Sequence, residues 1–367
     1  MTTKKLFLFA GEQSGDLLGA QLIQAIKSYA PSLQLEGVGG SQMQTCGMED
    51  RIDRFQVMGF SDVLKALPRL YQELNRLKKD ILKRSPDAVV FIDYPDFSMR
   101  LARALRKQGY RGKLIHYVCP SVWAWRKNRI ETLAKTLDLL LTILPFEPAL
   151  FSHTSLTATY VGHPLIAAID HYSYRPNWKK NSDERPILAL FPGSRPHEIA
   201  LNLPLQLKAA LDDHQIAISV ARPDLEKMIK KIAPSNALLV PAADRYELMH
   251  EASMALATSG TVVLELGLHQ VPTVVTYKMA PLNYLLGRYI FRIHLPYYTL
   301  VNLICQKEVY PEFIHRKICS DKISQALKKL KKNENSCRLA CQELKKVLLA
   351  QDASLEAARA IERTLGI

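Results

Sequence analysis

Short apolar, β-branched runs alternate with segments of helical apolar spacing along the chain, and this alternation restricts the fold more than any other feature. Such runs stand at 5–10 (KLFLFA), 88–93 (AVVFID), 113–119 (KLIHYVC) and 139–144 (LLLTIL), with helical periodicity between them, as at 97–108. The pattern predicts a parallel sheet, because crossover helices cover both faces of such a sheet and let its strands be apolar throughout. A polar, proline-bearing interruption, HYSYRPNWKKNSDERP at 171–186, breaks the alternation, and ILALFPGS restarts it. Further strands are expected near 187–191, 216–221, 237–240, 254–258 and 273–277. The expected fold is α/β, with two Rossmann-like doubly wound domains facing a cleft lined by loops at the carboxyl ends of their strands. The first domain is expected at 1–170 and the second at 187–345, with 171–186 as linker and 346–367 as a C-terminal helix able to pack back on the first domain.

Composition excludes several classes. The 367 residues, 48% of them hydrophobic, suffice for two cores. No uncharged apolar stretch reaches the roughly 18–20 residues that cross a bilayer; Leu139–Phe146 contains Pro145 and is closed by Glu147. The opening MTTKKLFLFAGEQSGD reads as a strand rather than a signal peptide, which predicts a cytosolic protein. Six cysteines, at 46, 119, 305, 319, 337 and 341, form no C-x-x-C pair, so reduced thiols and no metal are expected. A net charge of +14 fits nucleic acid, an anionic membrane surface or an acidic substrate, and no nucleic-acid-binding motif is recognisable.

Spacing removes the common nucleotide chemistries. The glycines at 37, 39 and 40 lack the third glycine of G-x-G-x-x-G, no G-x-x-x-x-G-K occurs, and residues 11–15 read G-x-x-S-G rather than G-x-S-x-G. What remains are loops at strand ends. FPGSRPHEI (191–199) sets Gly193, Ser194 and Arg195 at the start of a helix, where free amides and the dipole favour an anion. ATSGTVVLELG (257–267) offers Ser259, Gly260 and Thr261 to a diphosphate, with Glu265 one turn along to accept ribose hydroxyls. The first half differs. AGEQSGD (10–16) follows the first strand as a phosphate cradle would, yet Glu12 and Asp16 would repel an anion. FIDYPDF (91–97) hangs Asp93 and Asp96 over the predicted cleft, Asp96 reading as a helix N-cap and Asp93 as a general base. Trp123, in YVCPSVWAWRKNRI (117–130), suits a sugar or acyl chain as well as a core.

Ten motifs in order, AGEQSGDLLGA, GVGGSQM, VMGFSDVL, IDYPDF, HYVCPSVWAWR, LPFEP, YVGHPL, LFPGSRPHEI, ATSGTVVLE and VVTYKM, make the chain resemble the lipid-A-disaccharide synthase family. Cys119 stands where that family usually has Ser, and 297–313 departs from its usual pattern while keeping Asn302. The resemblance implies a GT-B-type inverting glycosyltransferase with no metal and no cofactor. It implies transfer of diacylglucosamine from UDP-2,3-diacylglucosamine to 2,3-diacylglucosamine 1-phosphate, forming a β-1,6 disaccharide 1-phosphate and UDP. Lys278 and Asn302 would join Gly193–Arg195, Ser259–Thr261 and Glu265 at UDP, while Ser14, Asp16, Asp96, Trp123 and His163 would line the acceptor side. Asp93 is the expected base, Glu12 its rival, and Arg195 the cation at the leaving diphosphate. Val63, Leu64, Leu67, Leu70, Tyr71, Leu74 and Leu77 form an apolar stripe with interspersed cations; Phe60, Val63, Leu64, Leu67 and Leu70 are expected to contact the cytoplasmic face of the inner membrane peripherally, with Pro68 starting the regular helix. A sugar-nucleotide epimerase, a lipid-linked N-acetylglucosamine transferase and a basic nucleic-acid binder are the alternatives; no nucleic-acid partner is expected.

Overall fold

The computed structural model describes residues 3–55, 66–124, 128–176, 178, 184–278, 295–314, 318–348 and 351–367, together with the helical backbone from residue 60. Two compact units emerge, one of residues 1–167 with 351–367, the other of 168–350.

In the first unit seven parallel strands form one sheet: β1 (Lys5–Ala10), β2 (Gln34–Gly39), β3 (Glu49–Asp50), β4 (Ala88–Ile92), β5 (Lys113–Tyr117), β6 (Leu139–Thr142) and β7 (Thr157–Tyr160), in the order β3-β2-β1-β4-β5-β6-β7. Its helices are α1 (Gln13–Tyr29), α2 (Ser41–Thr45), α3 (Phe60–Arg84), α4 (Pro95–Lys107), α5 (Arg129–Ala134) and α6 (Pro164–Asp170), the last crossing the boundary between units. Because side chains alternate along a strand, each strand feeds two cores. Leu6, Leu8 and Ala10 of β1 and Val90 and Ile92 of β4 pack with Leu22, Ile23 and Ile26 of α1. Phe7, Phe9, Val89 and Phe91 turn the other way, onto Leu77 and Ile81 of α3 and Phe97, Leu101 and Leu105 of α4.

The second unit repeats the scheme with β8 (Ile187–Phe191), β9 (Gln215–Val220), β10 (Leu238–Pro241), β11 (Ala252–Thr258), β12 (Thr273–Tyr277) and β13 (Glu312–Ile314), in the order β10-β9-β8-β11-β12-β13. Its helices are α7 (Pro196–Ala209), α8 (Glu226–Ile232), α9 (Arg245–Glu251), α10 (Thr261–Leu268), α11 (Leu300–Cys305), α12 (Ser320–Lys332) and α13 (Glu334–Val347). A final helix, α14 (Ala353–Leu365), rejoins the first unit, burying Ala357, Ala358 and Ile361 in the core that holds α1. All six cysteines are free. No helix among the described residues is long and apolar enough to cross a membrane.

Two expectations about the apolar stripe need correction. Helix α3 runs through Pro68 instead of starting there. The stripe also divides: Leu67 (44% exposed) and Tyr71 (68% exposed) face outward, whereas Leu70 and Leu74 pack against the core and Leu77 is fully buried. Residues 70, 74 and 77 follow the i, i+4, i+7 spacing of one helix face, so Leu70 belongs to the packed side and not to the exposed contact. The side chains of Phe60, Val63 and Leu64 lie outside the described residues. Leu77→Ala should therefore cost about 2–5 kcal/mol in denaturant unfolding, and Leu67→Ser less than about 0.5 kcal/mol.

Candidate functional site

In the second unit a cavity of about 370 Å³ opens where β8, β9 and β11 end, and it gathers Gly193, Ser194, Arg195, Ser259, Gly260, Thr261 and Glu265. The two helix starts that meet there are not equivalent. At α7, Glu198 folds back so that its Oε2 accepts from the amides of Ser194 (3.1 Å) and Arg195 (3.3 Å), and its Oε1 holds Arg195 Nη1 at 2.8 Å. Gly193, at φ +117°, leaves the room: a Cβ there would stand 2.8 Å from Glu198. Those amides are thus capped, which corrects the expectation of a free anion site at α7, and its contribution is the Arg195 side chain, 66% exposed. At α10 the N-cap is Gly260, which has no capping side chain, and space is open around it. The first amides of α10 are the ones presented to the cavity.

Two lining groups, Thr258 and Arg245, and one residue behind them, Tyr246, were not singled out from the sequence. Thr258 Oγ1 is buried on the cavity wall with no hydrogen-bond partner among the described residues, so its hydroxyl is available to a ligand atom. Arg245 lines the cavity and brings Nε and Nη2 within 3.3 Å of Glu265 Oε1, which also accepts from Tyr246 OH at 3.2 Å. All three bonds converge on Oε1, so Oε2 is the oxygen of Glu265 left for a hydroxyl. Arg245 and Tyr246 occur in an unremarkable segment (ADRYELM), and only the fold brings them to Glu265.

Lys278 and Asn302 do not line this cavity. The Lys278 amide donates to Asn202 Oδ1 at 2.8 Å, ending β12. Asn302 is wholly buried: its Nδ2 donates to Tyr310 O (2.8 Å) and Glu312 Oε1 (2.9 Å), and its Oδ1 accepts from the amides of Val309 (2.8 Å) and Tyr310 (2.9 Å). With every polar atom committed, Asn302 holds the turn between α11 and β13 together and is corrected from ligand-binding to structural.

In the first unit, β1 and β4 lie side by side with Ala10 opposite Ile92, so the Gly11–Glu12 turn and the first turn of α1 meet the residues after β4. Asp93 (φ +53°) and Tyr94 (φ +52°) are both left-handed, a conformation that costs free energy and clusters at functional sites. Gly11 is required for this approach, since a Cβ there would stand 2.3 Å from the Tyr94 ring. Ser14 Oγ donates to Asp93 Oδ2 at 2.8 Å, while the Asp93 amide donates to Tyr117 O at 2.9 Å. The Glu12 carboxyl is pushed above its ordinary value, first by burial and then by the neighbouring Asp93 charge.

The other acidic expectations change. Asp16 is buried, its Oδ1 accepting from the amides of Gly40 (2.7 Å) and Met43 (2.9 Å) and its Oδ2 from Gln42 (2.9 Å), so it anchors the start of α2 and offers nothing to a substrate. Asp96 is not the N-cap of α4: that position is Tyr94, and the Asp96 side chain, 67% exposed, is bound to Arg129. Trp123 meets Phe146 edge-on at 5.6 Å. His163 is buried, accepts from the Leu165 amide at 3.2 Å, and is held neutral by burial, down to about 4.

Beneath Trp123 lies Glu147 of the LPFEP motif, nearly inaccessible, with its Oε2 accepting from the Leu144 amide at 3.1 Å. Burial raises its carboxyl to about 7, against hydrogen bonds from the Leu144 amide, Trp123 and Cys119 that act the other way. The folded value lies above the unfolded one, so the protonated form is favoured by folding. This stability is present below about pH 4.5 and lost as pH rises through about 7. Glu147→Gln should match the parent in melting temperature near pH 4.5 and exceed it by several degrees above pH 8, as read by calorimetry.

A family model described as lipid-A-disaccharide synthetase matches residues 6–363. The lipid-A-disaccharide synthase of Chlamydia pneumoniae is 43% identical over 372 residues, covering 95% of this chain and 61% of that protein; the Chlamydia felis enzyme is 42% identical, covering 94% and 57%. The chain thus spans about three fifths of the length of these chlamydial relatives. The Rhodospirillum centenum lipid-A-disaccharide synthase is 36% identical, covering 91% of the chain and 86% of that protein. Among solved structures, an S. aureus MnaA–UDP co-structure (TM-score 0.68, 14% identity, 99% and 97% covered) and the glycotransferase of kitacinnamycin (0.66, 13%, all of both chains) share the fold. With the family model matching nearly end to end, the chain belongs to the lipid-A-disaccharide synthase family.

Proposed function

We propose that this chain transfers 2,3-diacylglucosamine from UDP-2,3-diacylglucosamine to 2,3-diacylglucosamine 1-phosphate with inversion, releasing UDP. The reading is carried by the second-unit cavity, where uncapped α10 amides, the orphaned Thr258 hydroxyl, Arg195 and one open oxygen of Glu265 offer what a nucleoside diphosphate needs. The α10 amides and Arg195 would stabilise charge on the departing diphosphate, and Glu265 Oε2 would accept from the ribose. In the first unit Asp93, oriented by Ser14, would take the proton of the acceptor 6-hydroxyl as that oxygen bonds to the anomeric carbon. The anomeric carbon–oxygen bond to UDP breaks with its electrons going to the diphosphate. Glu12, with its raised carboxyl, is the second candidate for the base.

The acceptor and donor would arrive from a membrane, and the exposed Leu67 and Tyr71 on α3 fit a peripheral contact on its cytoplasmic face. Leu67→Ser with Tyr71→Ser should leave the melting temperature nearly unchanged and reduce co-sedimentation with anionic vesicles; unaltered sedimentation would remove the contact from this surface.

Mass spectrometry of a mixture of the two purified substrates tests the reaction through the appearance of a tetraacyl disaccharide 1-phosphate. Asp93→Asn should lower turnover about 10²- to 10⁴-fold while UDP affinity is retained. Near-normal turnover would pass the role to Glu12.

A further inference from the structure

We propose that the groove between α4 and α5 is a phosphomonoester site. It is a cavity of about 260 Å³ in the first unit, walled by Asp96, Arg100 and Arg103 of α4 and by Arg129 and Thr132 of α5. Arg100 and Arg103 are three residues apart and share one face of α4; Arg129 reaches in from the other helix. Among the described residues three guanidiniums meet one carboxylate, Asp96, to which Arg129 is bound, and the described lining carries an excess of two positive charges (3 − 1). Four other arginines of this unit are neutralised locally, Arg51 by Glu49, Arg54 by Glu73, Arg84 by Glu36 and Arg106 by Asp138, so what marks the groove is that its arginines converge on one concavity. No hydrogen bond or ion pair among the described residues engages Arg100 or Arg103. Exposed and unpaired in a concavity, two planar forks with a threonine beside them match the three oxygens of a phosphate monoester.

Position adds to charge. Helix α4 begins directly after Asp93 and Tyr94, and Asp96 already borders the groove, so the Asp93 carboxylate and the arginines belong to one chain segment, with Arg100 in the second turn of α4 and Arg103 in the third. From Asp96 to Arg100 the helix rises about 6 Å. A sugar whose 6-hydroxyl lies at Asp93 would carry an anomeric phosphate across one ring, toward those arginines. That identity for the phosphate rests on the proposed reaction; the charge imbalance of the groove does not. A phosphatidic acid headgroup offers the same chemistry and is the other source.

Calorimetric titration of the full chain with glucosamine 1-phosphate, and with glucosamine as control, tests the site without any transfer reaction. The parent should prefer the phosphate, with affinity falling as salt rises, and Arg100→Gln with Arg103→Gln should weaken it roughly 10- to 100-fold at unchanged melting temperature. Equal binding of sugar and sugar phosphate, or equal affinity in parent and variant, would overturn the site. Two further arms separate the sources. In the transfer assay the variant should lose most of the parent's KM preference for the phosphorylated acceptor over the phosphate-free one, while sedimenting like the parent with phosphatidylcholine vesicles containing phosphatidic acid. A variant that keeps the KM preference but loses vesicle binding would overturn the acceptor assignment in favour of the headgroup. Absence of transfer by the parent to either acceptor would sink the proposed reaction and leave the titration to decide the groove.

Discussion

The parallel pairing of β1 with β4 is the contact on which the first unit's candidate site depends. Placing Ala10 beside Ile92 makes both strands end at one level, so the Gly11–Glu12 turn that leads into α1 and the Asp93–Tyr94 turn emerge side by side from a fully buried layer. Nothing in either segment alone would hold Ser14 against Asp93. The left-handed backbone at Asp93 and Tyr94 is sustained because Tyr94 is fastened at its far end, its hydroxyl donating to Phe55 O at 3.1 Å while its ring stacks on Phe97. A strained turn persists only where surrounding packing over-determines it.

The second unit separates two roles that its two helix starts have in common. A helix N-terminus attracts anions through unsatisfied amides, and any carboxylate that folds back onto them cancels the attraction. Glu198 does this at α7, leaving the guanidinium of Arg195 as that loop's remaining electropositive group. At α10 a glycine N-cap and small neighbouring residues keep the amides open. The carboxylate one turn along, Glu265, is held by one oxygen through Arg245 and Tyr246, which fixes the direction of the other.

Several polar residues in recognisable motifs serve the fold. Asp16 and Asn302 each gather three or more hydrogen bonds inside the protein, and a buried polar atom so satisfied has no capacity left for a ligand. Glu147 lies between these cases, satisfied in part and buried enough to favour its proton. The opening acidic loop therefore contains two kinds of acid: Asp16 braces α2, whereas Glu12 and, through Ser14, Asp93 remain chemically available.

The sequence by itself determined the strands that lie inside the sheets, since β1, β4 and β8 are largely apolar runs and β12 a β-branched one, each bounded by turns and recognisable without a partner. It also determined the family and the loops at strand ends, because those motifs are contiguous in the chain. The short outer strands β3, β7 and β13 escaped it, being two to four residues long and partly exposed, too brief for periodicity to register. Only the tertiary structure decided which polar side chains are spent internally and which are free, as with Asp16 against Glu12 or Glu198 against Glu265. It alone split the α3 stripe into Leu70 and Leu77 facing the core and Leu67 and Tyr71 facing out, and it alone joined Arg100, Arg103 and Arg129 across two helices. The physical reason is common to all three: hydrogen-bond capacity, burial and net local charge are properties of neighbours in space, and apart from Glu198, whose partners precede it by three and four residues, the neighbours that matter here are brought together by the fold and not by the chain.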